Sequence, residues 1–135
     1  MSSVLRIGGK ELDITQLLRD VNITPFRTWR RGECRVPGNP TGKICTDSGL
    51  VYSVSSAEMD DFERQLKEAT SFLTEHRAQL NKLVSYPGVE YVCLDFGIHL
   101  RRAYPHTDRL PSTFLRAAAE SGVSVELSHY PSDGL

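Results

Sequence analysis

The feature that most constrains this chain is an apolar stripe in its middle. Met59, Phe62, Leu66, Ala69, Leu73, His76, Leu80 and Leu83 recur at steps of three and four residues, the spacing that gathers side chains on one side of an α-helix. Ser55 and Glu58 stand in front of it in the order of a capping box, and Tyr86-Pro87-Gly88 stops it. The spacing predicts one helix from about Ser56 to Ser85, with Asp61, Arg64, Lys67, Glu68, Glu75, Arg77 and Lys82 on its solvated side. About 30 residues at 1.5 Å each reach roughly 45 Å. A globule of 135 residues has a diameter of only about 37 Å. Such a helix must project, bend or be covered by another chain, so the stripe raises the expectation of a homodimer along it.

Shorter elements surround that helix. Val4 to Ile7 reads as a strand, turned by Gly8-Gly9-Lys10. Asp13 is placed to cap a helix from about Ile14 to Val21, with Gln16 reaching back and Leu12 and Leu17 at the two positions of a hydrophobic staple. Residues 24–42 carry Pro25, Gly32, Pro37, Gly38, Pro40 and Gly42 and read as a long irregular loop, with at most a short strand at Cys34 to Val36. Lys43 to Thr46 and Leu50 to Val54 are β-prone on either side of Asp47-Ser48-Gly49, as a hairpin or as one strand with a bulged start. Val89 to Leu100 alternates, with Val92, Leu94, Phe96 and Ile98 on one side and Tyr91, Cys93 and Asp95 on the other. A polar loop, Arg101 to Arg109, leads to a helix opened by Pro111 and ended by Gly122, with Phe114, Leu115, Ala118 and Ala119 inward. Val123, Val125 and Leu127 alternate in a last strand, and residues 131–135 read as a frayed tail.

The expected architecture is a single α+β domain over 1–135. Its sheet is mostly antiparallel or mixed, with one long helix and two short helices packed on one face. A ferredoxin-like split β-α-β order is one way to arrange it.

Composition excludes several function classes. Sixteen Lys and Arg against seventeen Asp and Glu leave a formal net charge of −1, which argues against whole-surface attraction to nucleic acid or anionic lipid. The opening MSSVLRIGGKELD has no apolar core of a secretory signal, and no stretch approaches a membrane span. The expected location is the cytoplasm. Cys34, Cys45 and Cys93 are odd in number and widely spaced, as free thiols in a reducing compartment are, and no metal site is expected of them.

One loop stands out chemically. In Thr24 to Arg35, four arginines (Arg27, Arg30, Arg31 and Arg35) flank the only tryptophan, a combination that serves bidentate contacts and stacking. The plainer account is that Trp29 or Phe26 anchors the loop to the core while the arginines face water. His76 sits on the apolar stripe as a core histidine. His99, His106 and His129 lie near strand ends and loops without the spacing of a metal motif. Cys93 has no neighbour in sequence that would activate a thiolate. Gly8-Gly9-Lys10 lacks the rest of a phosphate loop. No catalytic residue, cofactor or metal is assigned.

Several pieces together resemble the bacterial domain of unknown function 4279 family. They are the leading strand, the Leu12-Asp13-Ile14 helix start, Ile23-Thr24-Pro25, the segment Trp29-Arg30-Arg31-Gly32-Glu33, the long helix, and the ending through Gly122 to Tyr130. The resemblance runs over nearly the whole chain. The tryptophan that such chains carry before the middle strand has no counterpart between Lys43 and Tyr52. The resemblance implies a small α+β fold without established enzymatic activity, of the stand-alone kind that includes immunity partners of bacterial toxins. It supplies no catalytic residue.

The resulting expectation is a non-enzymatic protein-binding protein, of the immunity type that neutralises a toxin by protein–protein contact. Its contact residues would be Phe26, Arg27, Trp29, Arg30, Arg31, Glu33 and Arg35. The alternative is a nucleic-acid-binding module using the same Arg/Trp loop. A small hydrolase or transferase built on His99, His129 and Cys93 is a third.

Overall fold

The computed structural model describes residues 2–36, 38–39, 42–101 and 105–131. Alternation along the apolar runs sorts into five strands: β1 (Ser3–Gly9), β2 (Arg27–Trp29), β3 (Ser48–Ser55), β4 (Tyr91–His99) and β5 (Ser124–Tyr130). They form one mixed sheet in the order β2-β3-β1-β4-β5. The pairs β2/β3, β3/β1 and β1/β4 are antiparallel and β4/β5 is parallel. Both neighbours of β1 run antiparallel to it, so the split β-α-β order is not formed.

Register places the apolar residues on one face. Leu5 lies opposite Tyr52 and Leu94, and Ile7 opposite Leu50 and Val92. These six are buried in one core with residues from every helix: Ile14 and Leu17 of α1 (Ile14–Asp20), Phe62 to Leu73 of α2 (Phe62–Glu75), Leu80 and Leu83 of α3 (Arg77–Val84), and Phe114 and Ala118 of α4 (Ser112–Ser121). Phe96 meets Phe62 and Phe114 edge to face, each at 5.5 Å between centroids, the arrangement the ring quadrupoles favour.

The expected long helix is not continuous, so the described residues form four helices rather than one long and two short. Ser55 is held in the β3 ladder opposite Ser3, and its hydroxyl accepts from the Ala57 amide at 3.1 Å. It therefore cannot cap a helix. The cap passes to Asp61, whose Oδ1 accepts from the Arg64 amide at 3.1 Å. At the far end the chain leaves helical geometry at His76 (φ −103°, ψ 17°), with the half-buried imidazole packed 4.7 Å from the Phe72 ring. The break lets α3 turn onto α4 and β4. Two segments of roughly 21 and 12 Å then fit the globule, and Leu66, Leu73, Leu80 and Leu83 are all buried within the chain. The leucines of the stripe are thus covered within the chain, while Met59 and His76 stay half-buried.

Further expectations change, among them the inward placing of Leu115 and Ala119, which are exposed. The loop 24–42 contains β2, and the stretch Lys43 to Thr46 neither joins β3 nor forms a hairpin with it. Instead Cys34 bridges Ile44. Asp13 caps α1 through the Gln16 amide at 3.1 Å, but the Gln16 side chain turns to Asp20 and completes no box. Gly122 ends α4 in the left-handed region at φ 72°. The frayed tail, beyond residue 131, and part of the loop 101–109 lie outside the described residues. No helix among the described residues is long and apolar enough to cross a membrane.

Candidate partner-binding surface

The sheet face away from the helices is where the Arg/Trp segment is built. Register aligns Trp29, Gly49, Gly8 and Tyr91 in one row across β2, β3, β1 and β4. The glycines in the middle leave room for the aromatic rings at the ends. A Cβ on Gly49 would collide with the Trp29 indole, and one on Gly8 with the Tyr91 ring. Both rings close on one carboxylate: Trp29 Nε1 donates to Asp47 Oδ1 at 2.9 Å and the Tyr91 hydroxyl to Asp47 Oδ2 at 3.0 Å. Burial and that bond push the Tyr91 hydroxyl up to about 12.

The next rows hold the charged groups. Arg6, opposite Val51 and Cys93, donates to the buried Asp95 carboxylate at 2.6 Å, and Ser128 donates to the other Asp95 oxygen at 2.6 Å. Glu126 lies 3.7 Å from Arg6. Burial, followed by a hydrogen bond to Glu126, pushes the Cys93 thiol up to about 11, so it is protonated at neutral pH and a weak nucleophile.

From this base the chain projects an arm. After Trp29, the Arg31 amide donates to Ser48 Oγ at 2.9 Å. The segments at 32–35 and 43–45 are then tied by Gly32 N to Cys45 O, Cys45 N to Glu33 O and Arg35 N to Lys43 O, at 2.8 to 2.9 Å. Apolar side chains stand out on this arm, Val36 at 61% exposed and Ile44 at 56%, and Phe26, just before β2, is 65% exposed. Arg27 lies over the Trp29 ring at 5.7 Å. Arg30 reaches Thr15 at 3.2 Å and Arg31 pairs with Glu11 at 3.0 Å. Glu33 and Arg35 are exposed.

All seven residues expected from the sequence therefore lie in one region, in two roles. Trp29 is the anchor, held by Asp47 over Gly49. Phe26, the other candidate anchor, faces water. Val36, Ile44 and Asp47 were missed, because only the cross-link between 32–35 and 43–45 brings them to this place. Residues 102–104 aside, the remaining candidates disperse. Cys93 and His99 are on the same strand about 20 Å apart, while His129 shares the opposite face with Ile98. No group of three His, Cys, Asp or Glu among the described residues converges as metal ligands would. A groove of about 790 Å³ between α2 and the segment before α4 is lined by Asp60, Glu63, Lys67, Arg101, Asp108 and Arg109 among others. Its lining mixes acids and bases, with Arg101 paired to Asp108.

Residues 1–132 match the family described as a domain of unknown function, DUF4279. The chain belongs to that family. No curated protein and no solved structure matches it. In this DUF4279 chain the match takes in the whole sheet, all four helices and the arm.

Proposed function

We propose that this chain is a non-enzymatic protein-binding protein of the immunity type, which neutralises a toxin by covering it with the arm and the β2 edge. The observation that carries the reading is the exposure of Phe26, Val36 and Ile44 beside Arg27, Arg30, Arg31 and Arg35. Large apolar side chains exposed to water among arginines are the composition of protein interfaces. Arginine in excess at the rim suits an acidic partner surface.

Nucleic acid fits less well. Stacking of bases on aromatic rings would fall to Phe26 alone of the loop's two aromatics, since the Trp29 indole spans Gly49 and its edge is held by a carboxylate.

The test is capture of binding proteins from the native cells with wild type and with the variant Phe26→Ser/Ile44→Ser/Arg35→Ala, followed by titration of the captured protein. The variant is expected to bind at least a hundredfold more weakly while keeping its circular dichroism. Unchanged affinity would place the interface elsewhere. Binding to single-stranded RNA or DNA that weakens steeply with salt and is lost in the variant would replace the protein reading by the nucleic-acid one.

A further inference from the structure

The two edges of the sheet are unlike. β2 is three residues long, carries Arg27 and follows Pro25, features that discourage pairing with another chain. β5 is seven residues long, Ser124-Val125-Glu126-Leu127-Ser128-His129-Tyr130, with no lysine, arginine, proline or irregularity in its register. Only its inner side pairs with another described strand. Exposed apolar residues gather at this end: Leu127 is 38% exposed and Leu115, on the helix packed against β5, 50%.

The orientation of the free backbone groups follows from one bond. The Tyr130 carbonyl accepts from the Leu100 amide of the β4 side at 2.8 Å, so the peptide groups of Tyr130 face β4. Alternation turns those of Ser124, Glu126 and Ser128 the same way, and points those of Val125, Leu127 and His129 outward. We infer that this edge binds a second copy of the chain, β5 to β5, antiparallel about a two-fold axis at Leu127. In that register Leu127 faces its own copy and Val125 faces His129. Each pair exchanges both backbone bonds, so every outward group of the three residues is satisfied.

Neighbouring registers are worse for stated reasons. Centring on Glu126 sets two carboxylates directly opposite each other, which is destabilising. Centring on Ser128 sets Val125 against Pro131, which has no N–H to give. Centred on Leu127, no like charges face each other and the two leucines meet on the side of Leu115. The sheet then runs unbroken through both copies, with the two arms at its far ends, so this contact is independent of the proposed partner surface.

Sedimentation equilibrium of the full chain tests the pairing, with twice the 15.1 kDa chain mass expected at about 100 µM and Leu127→Lys expected to restore the single-chain mass. Cysteine cross-linking tests the register without relying on that variant's folding. Facing residues of a hydrogen-bonded pair have Cα atoms about 5.5 Å apart, inside disulfide range. Leu127→Cys is expected to give a cross-linked dimer under mild oxidation, above the background of the native cysteines. His129→Cys, offset from its own copy by about 14 Å, is expected to stay at background. A single-chain mass throughout, a dimer that survives Leu127→Lys, or equal cross-linking at 127 and 129 would overturn the inference.

Discussion

The two faces of the sheet are closed by different physics. On one side Leu5, Ile7, Leu50, Tyr52, Leu94 and Phe96 meet four helices in an apolar core. On the other no helix packs among the described residues, yet Val51, Cys93 and Asp95 are buried. Their cover is the chain's own long side chains: the Trp29 and Tyr91 rings drawn to Asp47, and Arg6 laid across to Asp95. The first face depends on volume and area removed from water, the second on satisfied polar groups. A substitution should therefore be judged by which face it touches, not by how buried the residue is.

The largest expected effect lies on the helix side. Phe96 is fully buried between Phe62 and Phe114, and Phe96→Ala is expected to cost about 4 kcal/mol in urea unfolding, transfer and cavity terms together. On the open side, Arg6→Ala is expected to cost roughly 3 kcal/mol, because it strands the Asp95 carboxylate. That is the low end for such a pair, since the Arg6 side chain keeps 37% of its surface in water. Arg6→Met separates the causes. If the stem's packing were what matters, Met would restore stability; the loss is expected to persist in Met and to shrink when Asp95→Asn is added.

Next in size is the alkaline limb. The Cys93 thiol moves from an ordinary 9.0 to about 11 on folding, through burial first and Glu126 second. Between those values the folded chain keeps a proton that the unfolded chain has lost. This contribution is fully present below pH 9 and is lost as pH rises, by on the order of 2 kcal/mol at pH 11. Urea midpoints measured from pH 8 to 11 are expected to fall more steeply in wild type than in Cys93→Ala. Parallel curves would mean that Cys93 lies in a wetter setting than the open face provides.

The same contrast explains what could be read from the chain alone. The alternation of Val92, Leu94, Phe96 and Ile98 and the spacing of Phe62, Leu66, Ala69 and Leu73 are local periods, and they marked the helix-side core correctly. The break at His76 was not legible, because helical spacing continues through it and only α4 and β4 fix where α3 must turn. β2 was hidden among prolines and glycines, since three residues are too few to set a period and its partner is β3, twenty or more positions away. The loop's arginines and tryptophan stood out by their chemistry, aromatic and basic in one segment, whereas Val36, Ile44 and Asp47 did not. The roles of Trp29 and Phe26 were not, because Gly49 and Asp47 meet the indole only through register.

Two tyrosine hydroxyls give the finest test of the difference between the faces. Tyr52 lies on the helix side at 1% exposure. Its hydroxyl has no hydrogen-bond partner among the described residues, and burial pushes it up to about 12. The unmet desolvation of such a group opposes folding, so Tyr52→Phe, which keeps the ring and its packing, is expected to stabilise by about 1 kcal/mol. Tyr91 lies on the open side, and its hydroxyl is one of the two donors that close the row on Asp47. There the same chemical change removes a charge-assisted bond, and Tyr91→Phe is expected to destabilise by about 1 kcal/mol. Opposite signs for one identical atom deletion, measured in the same urea titration, would follow from volume governing one face and polar satisfaction the other; equal signs would mean that the two faces are closed by the same forces.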